Sequence, residues 1–97
     1  MNAIFMKEEL KAIKNLINEG KTSLAIESLN QLAATDFEPK DDVYYLLGNA
    51  YRKQNDWQGA LNNYQDAISI NPESPAKEAR EMMMDILNFY NKDMFNQ

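Results

Sequence analysis

Cysteine and histidine are both absent from this chain of 97 residues. The first absence removes disulfides and thiolate chemistry, and the second removes the imidazole base. Together they remove the usual zinc ligand sets. Glycine is scarce, with three residues, and none belongs to a loop that could cradle a phosphate; the acids do not follow calcium-loop spacing either. No segment approaches the roughly 20 apolar residues of a membrane helix. Lys7, Glu8 and Glu9 interrupt the apolar run that a signal peptide would need. The expectation is a soluble, cytoplasmic protein without membrane contact. Cations are the minority, 10 against 15 acids, and the resulting net charge of −5 is ill matched to a nucleic-acid backbone. An enzyme would have to work with carboxylates, lysines and tyrosines alone. The adjacent pairs Glu8–Glu9 and Asp41–Asp42 point about 100° apart on a helix, so neither pair shares a site. No catalytic residue, metal site or cofactor is expected.

The residues that are present describe a helical domain. Hydrophobic residues make up 44% and charged residues 26%, ordinary globular usage, in one small domain near the size where a single core is marginal. Phe5, Leu10, Ile13, Leu16 and Ile17 recur at three- and four-residue steps and predict a helix from Ala3 to Asn18. Gly20 ends it in a left-handed cap. Thr22 or Ser23 is expected to cap a second helix, whose stripe is Leu24, Ala25, Leu29 and Leu32. Residues 35–40 read as a loop. Asp41 or Asp42 opens a third helix that runs to about Gln54. Asn55–Asp56 makes a turn, Asp56 caps a fourth helix from Trp57 to Ile70, and Asn71–Pro72 stops it. Ser74–Pro75 starts a fifth helix that passes Tyr90, with proline at the first position, where its missing N–H costs nothing. The fold class is all-α.

The spacing Tyr44-x-x-Leu47-Gly48-x-x-Tyr51, followed by Ala60, Tyr64, Ala67 and Pro72, resembles the tetratricopeptide repeat, a pair of antiparallel helices recurring every 34 residues. A shift of 35 residues sets Ala60 on Ala25, Tyr64 on Leu29, Ala67 on Leu32, Tyr51 on Leu16 and Asn55 on Gly20. The earlier unit lacks the Leu-Gly pair, and Phe37 stands near the place of Pro72. The resemblance thus implies a single domain, a right-handed α-solenoid of antiparallel helix pairs. It divides into a degenerate repeat at residues 6–40, a clear one at 41–74, and a C-terminal helix and tail at 75–97. Gly48 and Ala60 let the helices of the clear unit approach closely, while Tyr44, Leu47, Tyr51 and Tyr64 fill the space around them.

The resemblance also implies a function without chemistry. The first helices of successive units line a concave groove that binds a peptide or helix of another protein. It places Lys7, Lys14 and Asn18 in that groove from the first helix, and Asp42, Tyr45, Asn49, Arg52 and Lys53 from the third. Ala76, Arg80 and Met83 would follow from the fifth. The outer face carries Glu27, Asn30, Asn62, Asn63 and Asp66, so the groove leans basic and favours an acidic partner. Asn49 suits a ligand's backbone amide, and Arg52 and Arg80 suit a carboxylate. The version of the groove that clamps the terminal carboxylate of chaperone tails is not reproduced. Leu10, Leu46, Lys14 and Ala76 depart from its lysine and asparagine pattern, and only Arg80 fits.

The fifth helix offers a second surface. Met82, Met83, Met84, Ile86, Leu87, Phe89, Tyr90, Met94 and Phe95 are too many for one buried stripe. Either they wrap a small core, methionine being a common gap filler, or Met83, Leu87, Tyr90 and Met94 form a docking strip for a second copy or another protein. The alternative to a groove-binding module is therefore a self-assembling homodimer joined through this helix.

Overall fold

The computed structural model describes the backbone of residues 3–95 and the side chains of residues 8–89. Five helices follow one another, α1 (Ala3–Asn18), α2 (Thr22–Ala33), α3 (Lys40–Lys53), α4 (Trp57–Ile70) and α5 (Ala76–Phe95), and no strand occurs among the described residues. Helix α1 packs on α2 and α3, α2 on α3, α3 on α4, and α4 on α5. This is a right-handed α-solenoid of antiparallel helix pairs. Its Cα radius of gyration of 14.5 Å exceeds the roughly 12–13 Å of a compact domain of this length, because the helices stack in one direction.

The two helix pairs turn alike. Gly20 and Asn55, 35 positions apart, hold the two left-handed backbone conformations among the described residues, with φ of 83° and 63°. Lys21 N donates to Leu16 O at 2.8 Å and Asp56 N donates to Tyr51 O at 2.9 Å, again at matching positions. Gly20 N reaches Ile17 O and Asn55 N reaches Arg52 O, which completes a Schellman turn in each unit. Glycine takes that conformation at no steric cost, and asparagine is among the few other residues that tolerate it.

Starts differ from expectation where hydroxyls have another use. Asp56 caps α4 as its sequence implied, accepting from Gly59 N at 2.9 Å. Its replacement by alanine is expected to cost about 1 kcal/mol and to lower the melting temperature by roughly 4–8 °C. A thermal melt followed by circular dichroism checks this, and an unchanged midpoint would show the cap to be idle. Thr22 and Ser23, by contrast, do not cap α2. The N-cap is Lys21, without a side-chain bond. Both hydroxyls lie in the first turn and accept from Gln54 Nε2, at 2.9 and 3.3 Å, tying the end of α3 to the start of α2. Likewise α3 begins at Lys40, behind Pro39, and Asp41 and Asp42 occupy its first turn rather than its cap. The Lys40 ammonium donates back to the carbonyls of Ala33 (2.8 Å) and Thr35, satisfying the end of α2. At α5, the Ser74 hydroxyl accepts from Ala76 N at 3.1 Å, as a cap should.

Two clusters of buried residues fill the interior. Ile13, Ile17, Ala25, Leu29, Phe37, Val43, Leu46, Leu47 and Ala50 form the first, and Phe37 joins it from the loop before α3. Ala60, Tyr64, Ala67, Ala76 and Met83 form the second. Tyr44, Tyr45 and Tyr51 pack against both and join them. Ala25 and Leu29, like their counterparts Ala60 and Tyr64, are wholly buried. Gly48 is where the α3–α4 pair closes: a Cβ there would stand 2.3 Å from Cε1 of Tyr64.

Candidate partner-binding groove

Helices α1 and α3 lie side by side and leave a concave face between them. Its first depression, about 440 Å³, is lined by Lys14, Ile17 and Asn18 of α1, by Leu46, Asn49, Arg52 and Lys53 of α3, and by Asn55 of the turn. A second, about 480 Å³, is lined by Leu10, Lys11 and Lys14 of α1, Asp42, Tyr45 and Leu46 of α3, and Pro75. Lys14 and Leu46 belong to both, so the depressions meet there. Leu46 is only 6% exposed and forms an apolar floor, which makes this stretch of α3 both core and groove.

Five of the expected groove residues, Lys14, Asn18, Asn49, Arg52 and Lys53, are brought together in the first depression, and Tyr45 lies in the second. Arg80 is half-buried on α5 and lines neither. The side chains of Lys7, Tyr90 and Met94 lie outside the described residues. Sequence reasoning did not select Lys11, Asn55, Pro75 or the apolar floor of Leu10, Ile17 and Leu46. Lys11 could have been found, since it stands three residues before Lys14 on one helix face.

Two residues expected in the groove are corrected. Ala76 and Met83 are completely buried, at 0% exposure. With Ala79 they occupy positions spaced by three and four on α5 and press against Ala60, Tyr64 and Ala67 of α4. Met83 is for the same reason no part of a docking strip, and Leu87 is half-buried. Among the described residues of α5 the outward apolar ones are instead Met82, 54% exposed, and Phe89, 72% exposed.

The electrostatics of the face are one-sided at its Asn49 end. Among the described residues the single ion pair is Lys21–Glu19, at 3.7 Å on the surface. Lys14, Arg52 and Lys53 thus face the depression without a carboxylate partner among those residues. Asn49 Oδ1 accepts from the Tyr64 hydroxyl at 2.5 Å. Burial raises the Tyr64 phenol above its usual range, while the neighbouring Arg52, by charge and by a side-chain hydrogen bond, pulls it back down. Arg52 also reaches across to Met82 Sδ at 4.0 Å, so its head lies between α3 and α5. At the other end, burial first and then Asp41 raise the Asp42 carboxyl. Asp41 itself accepts from Asn71 Nδ2 at 3.0 Å. Among the described residues no three acids gather closely enough to hold a metal ion. No described helix is long and apolar enough to cross a membrane.

The sequence pattern described as tetratricopeptide repeat matches residues 41–74, which span α3, α4 and the turn after them. With the helix order, the matched turns and the Gly48–Tyr64 approach, this makes α3–α4 a tetratricopeptide repeat within a small, tetratricopeptide-like helical chain. Such repeats in general serve as protein–protein interaction modules and are generally not enzymes. Among solved structures, the chain is similar to the Bacteroides fragilis protein BF1650, determined in solution by NMR. The two are 61% identical over 91% of this chain and 89% of that one, with a TM-score of 0.81. No curated protein matches the chain.

Proposed function

We propose that the protein is a non-enzymatic interaction module that holds an acidic peptide or helix of a partner protein in the groove between α1 and α3. One observation carries this reading: Lys14, Arg52 and Lys53 converge with Asn49 on a depression that no carboxylate of the described residues neutralises, in a chain whose net charge is −5. A cationic face on an acidic protein attracts an acidic partner. The depression is open and shallow, as an extended segment needs, and its Leu46 floor supplies apolar contact.

Lys14 and Lys53 are exposed and make no described bond, so both can be reversed to glutamate without disturbing the core. Each exposed charge contributes about 0.2–1 kcal/mol, and reversing two is expected to weaken partner capture about tenfold. Quantitative capture from native lysate, with Glu27→Lys and Asp66→Lys on the outer face as the control pair, measures this. Equal loss in both pairs would mean that the groove is not the site.

Self-assembly through α5 is the second reading. What favours it is the exposure of Met82 and Phe89 on one helix. A monomer by light scattering at all concentrations up to the millimolar range would dismiss it.

A further inference from the structure

Tyr64 belongs to the second helix of its pair and is fully buried, yet its hydroxyl bonds a side chain that lines the groove. Its ring is fixed from two sides: Gly48 admits it with no room for even a methyl group, and Tyr45 lies at a centroid distance of 6.1 Å and a tilt of 36°. Its hydroxyl donates to Asn49 Oδ1, and a phenol has a single proton to give. The Asn49 amide therefore turns its oxygen toward Tyr64. Its Nδ2 points the other way, and no described residue accepts from it.

Resting on the groove reading above, we infer that Tyr64 is a positioning residue that makes Asn49 a donor, so that the Asn49 end of the groove selects carboxylates over neutral amides. Four of the side chains lining that end would present donors, while the amides of Asn18 and Asn55 can turn either way. Lys14, Arg52 and Lys53 can only donate, and Asn49 is held as a donor by a bond made behind it. An aspartate or glutamate of the occupant supplies acceptors alone and meets them all. An asparagine or glutamine brings an NH2 group that would face donors, and the mismatch discriminates against it as effectively as lost attraction does. The occupant is thus an acidic segment with its carboxylates at the Asn49–Lys53 end, while its apolar side chains can rest against Leu10, Tyr45 and Pro75 in the second depression.

The test uses two synthetic peptides, acetyl-Leu-Asp-Glu-Asp-Leu-amide and its counterpart with asparagine and glutamine in place of the acids. Each is titrated into isotopically labelled protein while the backbone resonances of Lys14, Asn49 and Lys53 and the side-chain amide of Asn49 are followed. The wild type is expected to bind the acidic peptide at least about fivefold more tightly. Tyr64→Phe keeps the ring against Gly48 and removes only the hydroxyl, and it is expected to cut the ratio of the two affinities severalfold, with a shifted Asn49 side-chain signal. Tyr44→Phe is the control and leaves the ratio alone. Should Tyr64→Phe fail to fold, Asn49→Asp keeps a partner for the hydroxyl, removes both donors, and is expected to abolish the preference. A ratio unchanged in the variant that folds would overturn the role of Tyr64. Equal binding of both peptides by the wild type would overturn carboxylate selection and leave the groove reading standing. No movement of the groove resonances with either peptide would remove both.

Discussion

Gly48→Ala is expected to unsettle the protein more than any other single-methyl change. The added Cβ would lie 2.3 Å from Cε1 and 2.4 Å from Cδ1 of Tyr64. No carbon pair tolerates that separation, so something must move. The ring cannot swing aside, because it is fully buried and its hydroxyl is held by Asn49. Helix α3 must then part from α4. Overpacking of this kind costs about 1–3 kcal/mol or more, against a gain of roughly 1 kcal/mol for alanine over glycine in a helix. At the upper end of that range the net loss is about 2 kcal/mol, or a melting temperature lowered by roughly 8–16 °C for a domain of this size. Urea unfolding of the two proteins measures it directly. A variant as stable as the parent, or more so, would show that the α3–α4 approach is looser than the geometry states. Tyr64→Phe in the same background would not rescue the loss, since the clash is with the ring.

Met83→Ala is expected to cost still more, about 2–5 kcal/mol, the range for emptying a buried methionine site. Its neighbour Met82 should tolerate the same change within about 0.5 kcal/mol, as exposed positions do. The two residues are adjacent and chemically identical, so the contrast isolates which side of α5 faces α4. Met83 is at 0% exposure against Ala60, Tyr64 and Ala67, whereas Met82 is 54% exposed with only the Arg52 head near its sulfur. Melting curves for the pair are the measurement. Equal losses, or a larger loss at Met82, would mean that α5 is rotated from the position described. Removing the Met83 anchor should also loosen α5 from α4 before the remainder unfolds, giving a sloping native baseline in the variant alone.

Why the sequence could place helix ends so well but not the facing of α5 follows from the physics of each. Ends are local. Gly20, Asn55, Asp56 and Ser74 act on backbone groups within a few residues of themselves, so their types disclose their jobs. The buried positions of α3 and α4 were also legible, because small residues at Gly48 and Ala60 must face large ones such as Tyr64. Residues 82–89 carry six apolar side chains in eight positions, an arc too wide for periodicity to orient. Only the position of α4 selects Met83 over Met82, and that is tertiary information. Thr22 and Ser23 failed for a related reason. Their hydroxyls are good caps in isolation, but Gln54, 32 and 31 residues away, competes for them. Of the expected groove cations, Lys14, Arg52 and Lys53 line the depression and Arg80 does not. The Tyr64–Asn49 hydrogen bond was not legible, since it joins side chains 15 residues apart on two helices.

The main packing is between near neighbours: α1 meets α2 and α3, and from there each helix packs chiefly on the next, up to α4 with α5. Very little chain must therefore be looped out before a native contact can form, and loop closure is the main entropic obstacle on the way to a fold. Helical proteins built from such local contacts reach their native state in microseconds to milliseconds. Order can begin in any adjacent pair and spread along the stack. The pair α3–α4, with Gly48 and Tyr64 locked together, is the natural seed, and the ends of the chain would zip onto it last and fray from it first. The groove, built from α1 and α3, is then among the later features to assemble, so a newly made chain has a rigid centre before it has a complete groove.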